Sequence, residues 1–340
     1  MTLHHPFPTP PGQYDATEVA PGIRWLRLPL PMALDHVNCY ALDDGDGWTL
    51  VDTGMASKHT RALWQALLAV PLRGKPVTRL IVTHHHPDHM GLAGWFQGQG
   101  VNLITTRTAW LFARMLTLDD QRLPAPESLL FQQRAGLDAD HLASRALERP
   151  FNFRDVVSEM PLGFTRMAEG DVITAAGRRW RVRLGQGHAP DHATLWSMDD
   201  TLILAGDQML PGISAHIGVY PTEPEADPLT EWLASTRAML DHARDDHFVL
   251  PGHKLPYTGL PRRLIQMLAD HEAGLSRLTA HLTEPRRATD CFAVLFKRPV
   301  TPQTFSLALS ESVAHLNCLL RRGAVTRQLG DGGAWLWQAA

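Results

Sequence analysis

Residues 83–89 read Thr-His-His-His-Pro-Asp-His, a crowding of imidazoles and a carboxylate that packing does not call for. His84 and His86 alternate, so on an extended backbone they point the same way. Asp88 and His89 fall on the turn that follows and face a second point a few ångströms off. His85, between two inward-facing neighbours, is expected to point away from them. Imidazole and carboxylate are the ligands that borderline divalent metals such as zinc prefer. The chemistry on offer is therefore metal-assisted hydrolysis. Two cations ~3.5–4 Å apart clamp a water between them and lower its pKa from 15.7 to about 7. The resulting hydroxide attacks an electrophilic carbonyl carbon or phosphorus, with no serine or cysteine nucleophile needed.

Such side chains must be brought together by the fold, and the pattern shows how. Apolar runs that read as buried strands end in a polar residue five times: Leu50-Val-Asp52, Ile81-Val-Thr-His84, Leu184-Gly-Gln-Gly-His188, Leu202-Ile-Leu-Ala-Gly-Asp207 and Val249-Leu-Pro-Gly-His253. Glycine stands directly before His188, Asp207 and His253, letting the backbone turn tightly there. One edge of a β-layer then carries His84, His86, Asp88, His89, His188, Asp207 and His253. These five imidazoles and two carboxylates suffice for two metals with one carboxylate shared.

The motif His84-x-His86-x-Asp88-His89, with the later Gly-His188, Gly-Asp207 and Gly-His253 and the earlier Val-Asp52-Thr-Gly, resembles the metallo-β-lactamase-fold hydrolases over residues 20–255. The resemblance implies an α/β fold, the αββα sandwich of two mixed sheets flanked by helices, with metals at one edge. It places His84, His86 and His188 on a first metal and Asp88, His89 and His253 on a second, with Asp207 bridging. Asp52 is expected behind the ligands, orienting an imidazole or the loop. Zinc is the expected ion at both positions, with manganese or iron as alternatives. Asp207 at the bridging position looks like the glyoxalase II, lactonase and nuclease branches, since β-lactam-cleaving members usually carry Cys or Ser there.

The remaining pattern divides the chain. Residues 1–258 are expected to form the catalytic domain, opening on a Pro-rich extended arm over residues 1–20. Strands are expected at 23–29, 36–42, 48–51, 101–105, 162–167, 171–175, 179–184, 193–198, 201–205 and 248–250. Helical spacing covers 57–70, 106–118 and 228–243. Residues 119–160 form a helical insertion between strands, a lid or substrate wall. Met115, Phe131, Phe151 and Phe153 in and beside it offer an apolar acyl pocket, although plain core packing explains such a stripe as well. A linker helix over 260–283 leads to helices and a hairpin, and residues 259–340 read as a winged-helix-like module. That tail is not the glutathione-binding helical domain of glyoxalase II, and neither a β-CASP insertion nor the arm of a tRNA 3′-processing nuclease is recognisable.

Composition narrows the partners. A net charge of −3 argues against a binder driven by bulk positive charge. Residues 260–340 hold ten Arg and Lys against six Asp and Glu, a mild excess that a solvated face explains as well as a phosphate track. Trp335 and Trp337 are expected to pack in the core rather than stack on bases. Three scattered cysteines, Cys39, Cys291 and Cys318, make no disulfide framework. No membrane span and no signal peptide is seen, so a cytoplasmic protein is expected. The first expectation is a hydrolase of a small-molecule carboxylic ester, thioester or lactone. Asp88 is its principal catalytic carboxylate, His192 an adjacent second-layer residue or proton donor, and Tyr220, with His216, a group orienting the substrate carbonyl. The alternatives are a phosphodiesterase or single-strand ribonuclease using the same metals, and a metal-binding regulatory or sensor protein. The C-terminal helix and hairpin also offer a surface for a homodimer.

Overall fold

Alternation of apolar and polar residues near the start of the chain builds the antiparallel half of a sheet. The computed structural model describes residues 3–340. In it β1 (Thr17–Ala20), β2 (Ile23–Pro29), β3 (His36–Asp43) and β4 (Trp48–Val51) pair antiparallel in order. Crossovers through α1 (Lys58–Ala69), then α2 (Pro87–Met90) and α3 (Ala93–Gln97), and finally α4 (Arg107–Leu118) extend it. They add β5 (Val77–Ile81), β6 (Asn102–Thr105) and β7 (Thr165–Arg166), all parallel. Between α4 and β7 lie α5 (Pro126–Arg134) and α6 (Ala139–Arg145). The second sheet runs β8 (Val172–Ala175), β9 (Arg178–Gly185), β10 (His192–Ser197) and β11 (Leu202–Gly206), again antiparallel neighbours. After α7 (Pro228–Leu240), β12 (Phe248–Pro251) lies parallel to β11 at its edge.

The two sheets bury one face of each against the other. Trp25, Tyr40, Val51 and Ile81 of the first meet Trp180, Val182, Leu195 and Leu250 of the second in one dry cluster. The outer face of the first sheet is covered by α1 and its neighbours, with Leu26 and Leu50 under Trp64 and Phe96. The outer face of the second is covered by Trp232 and Leu233 of α7 and by Leu264 of the next helix. The layers are therefore helix, sheet, sheet, helix, the α/β sandwich expected from the motifs.

Two expectations shift. Residues 17–20 are not part of an extended arm, because Thr17 and Glu18 pair with Trp25 and Arg24 as a sheet-edge strand. The run at 162–167 shortens to Thr165–Arg166, since only these two residues reach the ladder of β6. In the first case a hairpin with the neighbouring strand decides the outcome, and in the second a partner about sixty residues away, which local alternation does not encode.

The C-terminal residues form α8 (Leu260–His281), α9 (Phe292–Leu295), α10 (Phe305–Arg321) and a hairpin of β13 (Val325–Leu329) and β14 (Trp335–Ala339). Leu309, Val313 and Leu316 of α10 and Trp337 of β14 share one buried cluster with Ile203 and Trp232. The tail is thus packed into the outer layer of the second sheet. The insertion is tied to the same region: Phe131 and Ala135 pack on that cluster, and Arg134 Nη1 donates to the Gly333 carbonyl at 2.7 Å. The guanidinium groups of Arg134 and Arg327 lie 5.1 and 4.4 Å from the centre of the Trp335 ring. At its other end the insertion accepts Ala56 N–H at the Val156 carbonyl (2.8 Å) and donates Ser158 N–H to Gly91 (2.7 Å), beside the His-rich turn.

This double attachment makes a prediction. Trp335→Ala removes a cation–π contact worth about 1 kcal/mol and the ring on which Arg134 rests. Amide hydrogen exchange over residues 119–160 is expected to speed up while α1 and the sheets keep their protection. Unchanged exchange in the insertion would show that the hairpin does not hold it.

Candidate metal centre

Every residue singled out for metal binding leaves a strand end or the turn after it. His84 and His86 follow β5, Asp88 and His89 lie on α2, His188 follows β9, Asp207 follows β11 and His253 follows β12. Burial at this edge is nearly complete, with His84 and His89 fully buried and His253 1% exposed. The glycines are required by contact: a Cβ on Gly252 would lie 2.3 Å from Asp207 Oδ1.

The imidazoles are fixed from behind. Asp52, itself 2% exposed, accepts Thr83 N–H at 2.8 Å and the Thr83 hydroxyl at 2.9 Å, and its Oδ2 lies 2.7 Å from His89 Nδ1. Because the Thr83 hydroxyl hydrogen goes to Asp52, its oxygen is left to accept from His84 Nδ1, 3.0 Å away. His188 Nδ1 donates to the His216 carbonyl at 2.7 Å, and His253 Nδ1 to the His36 carbonyl at 2.6 Å. With Nδ1 committed, His84, His89, His188 and His253 each aim Nε2 at the centre, and His86 aims Nδ1 there. The expectation for Asp52 thus holds in both senses, since it orients an imidazole and the loop. Asp52 adopts φ +62° to do so, a left-handed conformation that Asp tolerates better than most residues.

The aimed atoms form two adjoining sets. His84 Nε2, His86 Nδ1 and His188 Nε2 lie 3.0, 3.0 and 3.3 Å apart. Nitrogens bound tetrahedrally to one zinc stand on the order of 3.3 Å apart. Asp88 Oδ2 is 3.6 Å from His89 Nε2 and 3.3 Å from His253 Nε2. Asp207 touches both sets: Oδ2 lies 3.5 Å from His188 and 3.2 Å from His253, and Oδ1 lies 3.3 Å from His89.

These residues fit a divalent cation. Burial, reinforced by neighbouring imidazoles, holds the pKa of His84 and His86 well below the usual imidazole range, so both are neutral. With their Nδ1 atoms turned to oxygen acceptors, His84 and His188 bring Nε2 within 3.3 Å of each other, a spacing suited to two ligands of one cation. His89 Nε2 and Asp207 Oδ1 are buried with no hydrogen-bond partner, which is costly unless a metal satisfies them.

Residues outside the ligand sets fall in different places. His192 is fully buried behind the ligands, its ring stacked 4.4 Å from that of His84, and its Nε2 accepts the Asp207 N–H at 3.0 Å. Burial pushes its pKa down to about 3, and as a neutral ring it accepts the Asp207 backbone N–H. That contact is the positioning one of the two roles considered for it. Tyr220 is exposed, its ring edge-on to His216 at 6.3 Å. The His216 side chain turns away from the centre to Glu311 and Ser310, and only its carbonyl serves a ligand. His85 is outside the ligand sets as expected, with its ring 5.0 Å from Phe112 and 6.3 Å from Phe153. Of the apolar residues proposed for a pocket, Phe131 belongs to the C-terminal cluster instead, and Met115 and Phe151 are exposed. Trp337 is core, as expected. The carbonyls of His36 and His216 escaped sequence reading because a backbone acceptor has no residue signature.

Residues 32–253 match the metallo-beta-lactamase superfamily, and residues 275–340 match the metallo-beta-lactamase-like C-terminal domain. A beta-lactamase domain protein of known structure from Burkholderia ambifaria is 35% identical, with a TM-score of 0.86 and 99% of each chain covered. A metallo-beta-lactamase family protein from Thermus thermophilus is 27% identical, with a TM-score of 0.79 over 95% of this chain and all of its own. "Probable metallo-hydrolase YqjP" of Bacillus subtilis (strain 168) is 27% identical over 316 residues, 88% of this chain and 93% of that protein. No helix among the described residues is long and apolar enough to cross a membrane.

Two outcomes test the centre. Asp52→Asn removes the charge behind His89, and divalent-metal affinity measured against a chelator is expected to fall about 10–100-fold. An unchanged affinity would remove Asp52 from the site. The second concerns protons. Burial opposes charge on His253, but Asp207 and Asp88 outweigh it and push its pKa up to about 10 in the metal-free protein. A cation must displace that proton, so falling pH favours the protonated form and weakens binding. Adding zinc to lightly buffered apoprotein at about pH 7 should acidify the solution, and affinity should rise with pH. Binding without proton release would contradict this arrangement.

Proposed function

We propose that this chain, which belongs to the metallo-beta-lactamase superfamily and is a metal-dependent hydrolase, is a dinuclear acyl hydrolase acting on a small carboxylic ester, thioester or lactone. Two divalent cations, zinc first among the candidates, would supply an acidified water and polarise the substrate carbonyl. His84, His86 and His188 would hold one and Asp88, His89 and His253 the other, with Asp207 shared. The chain's own contribution is position and proton handling. The Asp207 backbone is held by His192, and His84, His89, His188 and His253 by Thr83, Asp52 and two carbonyls, so most of the ligand set is positioned before substrate arrives. Asp88 keeps 18% of its side chain exposed, against 8% for Asp207, and is the ligand carboxylate better placed to pass a proton between water and leaving group. Water adds across the acyl C–O or C–S bond, giving the acid and an alcohol or thiol.

The observation that carries the acyl reading is the wall beside His86. His85 stands 4.7 Å from it between Phe112 and Phe153, and burial pushes its pKa down to about 3. This flank is a neutral ring and two phenyl groups, suited to an uncharged acyl chain rather than to a phosphodiester backbone. Phe153 belongs to the insertion, so the insertion would set which acyl groups fit. Leu111 and Met115 on α4 and Phe151 in the insertion add exposed apolar surface.

The test is turnover of metal-loaded protein on acyl thioesters and lactones of increasing chain length, beside a single-stranded RNA oligonucleotide, with His84→Ala as the blank. Acyl cleavage that disappears in the blank is expected, with kcat/KM falling on the order of tenfold in Phe153→Ala for the longer chains. Cleavage of RNA instead would overturn the acyl assignment while leaving the metal centre intact.

A further inference from the structure

The loop after β11 links the metal centre to the C-terminal helices, and its hydrogen bonds run in one direction. His216 presents its carbonyl to His188 Nδ1 at 2.7 Å. Its ring turns the opposite way and is held at both nitrogens by α10: Nδ1 lies 3.2 Å from Glu311 Oε2, and Nε2 lies 3.2 Å from Ser310 Oγ. Val219 N–H donates to the Ser310 carbonyl at 3.1 Å, so the loop is pinned again three residues on. A Cβ on Gly218 would meet His216 Nε2 at 2.6 Å and Ser310 Oγ at 2.9 Å, so the approach tolerates no side chain there. Nearer β11, Arg263 of α8 donates to the carbonyls of Leu210 and Ile213, each at 2.6 Å.

We propose that Glu311 is a positioning residue of the metal centre: by fixing the His216 ring it holds the carbonyl that orients His188. The inference rests on the metal-centre reading and extends it to the C-terminal helix. A carbonyl on an unheld loop can rotate away, and His188 then loses the acceptor that fixes its tautomer and ring plane. The effect should be one-sided. His89 is anchored on Asp52 and His253 on the His36 carbonyl, both within the sandwich, so the set with Asp88 does not depend on α10. Only the set of His84, His86 and His188 should loosen.

The experiment is a titration of full-length apoprotein with cobalt or zinc, resolving the binding steps, with His188→Ala identifying the step that contains His188. Glu311→Leu is expected to weaken that step about tenfold and leave the other unchanged. Glu311→Gln keeps an oxygen acceptor for His216 and should restore near-wild-type binding. Asn317→Ala is the control for folding. Asn317 lies on the same helix and donates to the carbonyls of Pro224 and Ala226 at 3.0 and 2.9 Å, away from His216. Its loss should lower thermal stability without changing either step. Wild-type binding in Glu311→Leu would overturn the proposal, as would equal weakening of both steps in Glu311→Leu and Asn317→Ala. Wild-type protein that binds no divalent cation would instead sink the metal reading itself, a result the titration separates from the first.

Discussion

Ligand atoms aimed at one another across a dry sheet edge are the constraint on which the rest of the structure depends. His84 and His188 oppose their Nε2 atoms, and Asp207 places carboxylate oxygens within reach of three imidazoles. Left to itself such a cluster would spread or protonate, because desolvated like dipoles repel and buried charge is costly. The fold prevents spreading by attaching each Nε2-directed imidazole through its other nitrogen to an oxygen that is itself held by further contacts. Asp52 is bound by Thr83 at the head of β5, and the His36 carbonyl belongs to β3. The ligand atoms are thereby held close together in a geometry that a cation would satisfy.

The attachments also explain why particular residues border the ligands. Gly252 is glycine because the Asp207 carboxylate occupies the space of its Cβ, and Gly206 because the His192 ring does. Asp52 accepts a left-handed backbone because its two carboxylate oxygens must reach Thr83 and His89 together. These are local departures from strand geometry at the points where strands become a site, and regularity resumes a few residues away.

Most of the centre was legible in the sequence because ligand chemistry uses few residue types at short, fixed spacings. The His84-to-His89 motif and the three Gly-preceded ligands mark themselves, alternation and helical spacing marked most strands and helices, and the resemblance implied their stacking as two sheets with helices outside. The unreadable part is of two kinds. Carbonyl acceptors at His36 and His216 carry no side-chain signature, so the support of His253 and His188 emerges only from coordinates. Residues named for their type alone went astray for the opposite reason. His216 and Phe131 have suitable chemistry, but their direction is set by contacts with the C-terminal segment far along the chain. Local pattern cannot encode such contacts.

That segment changes how the molecule divides. An edge built only from strand ends would be complete within the first 253 residues, and the tail would be an appendage. Instead Leu309, Val313 and Trp337 bury themselves with Trp232 and Ile203, α8 and α10 grip the loop after Asp207, and the hairpin carries Arg134 of the insertion. The tail therefore meets both the loop behind one metal ligand and the insertion beside His85. These are separate attachments: one bears on how His188 is held, the other on how the apolar wall is held. Because they are made by different residues of the tail, substitutions in the insertion can change that attachment without loosening His188, while the contacts of Asp52 with Thr83 and His89 stay fixed. A hydrolase built this way can vary its insertion and keep the geometry of its candidate ligands, since the contacts that serve each are made by different residues.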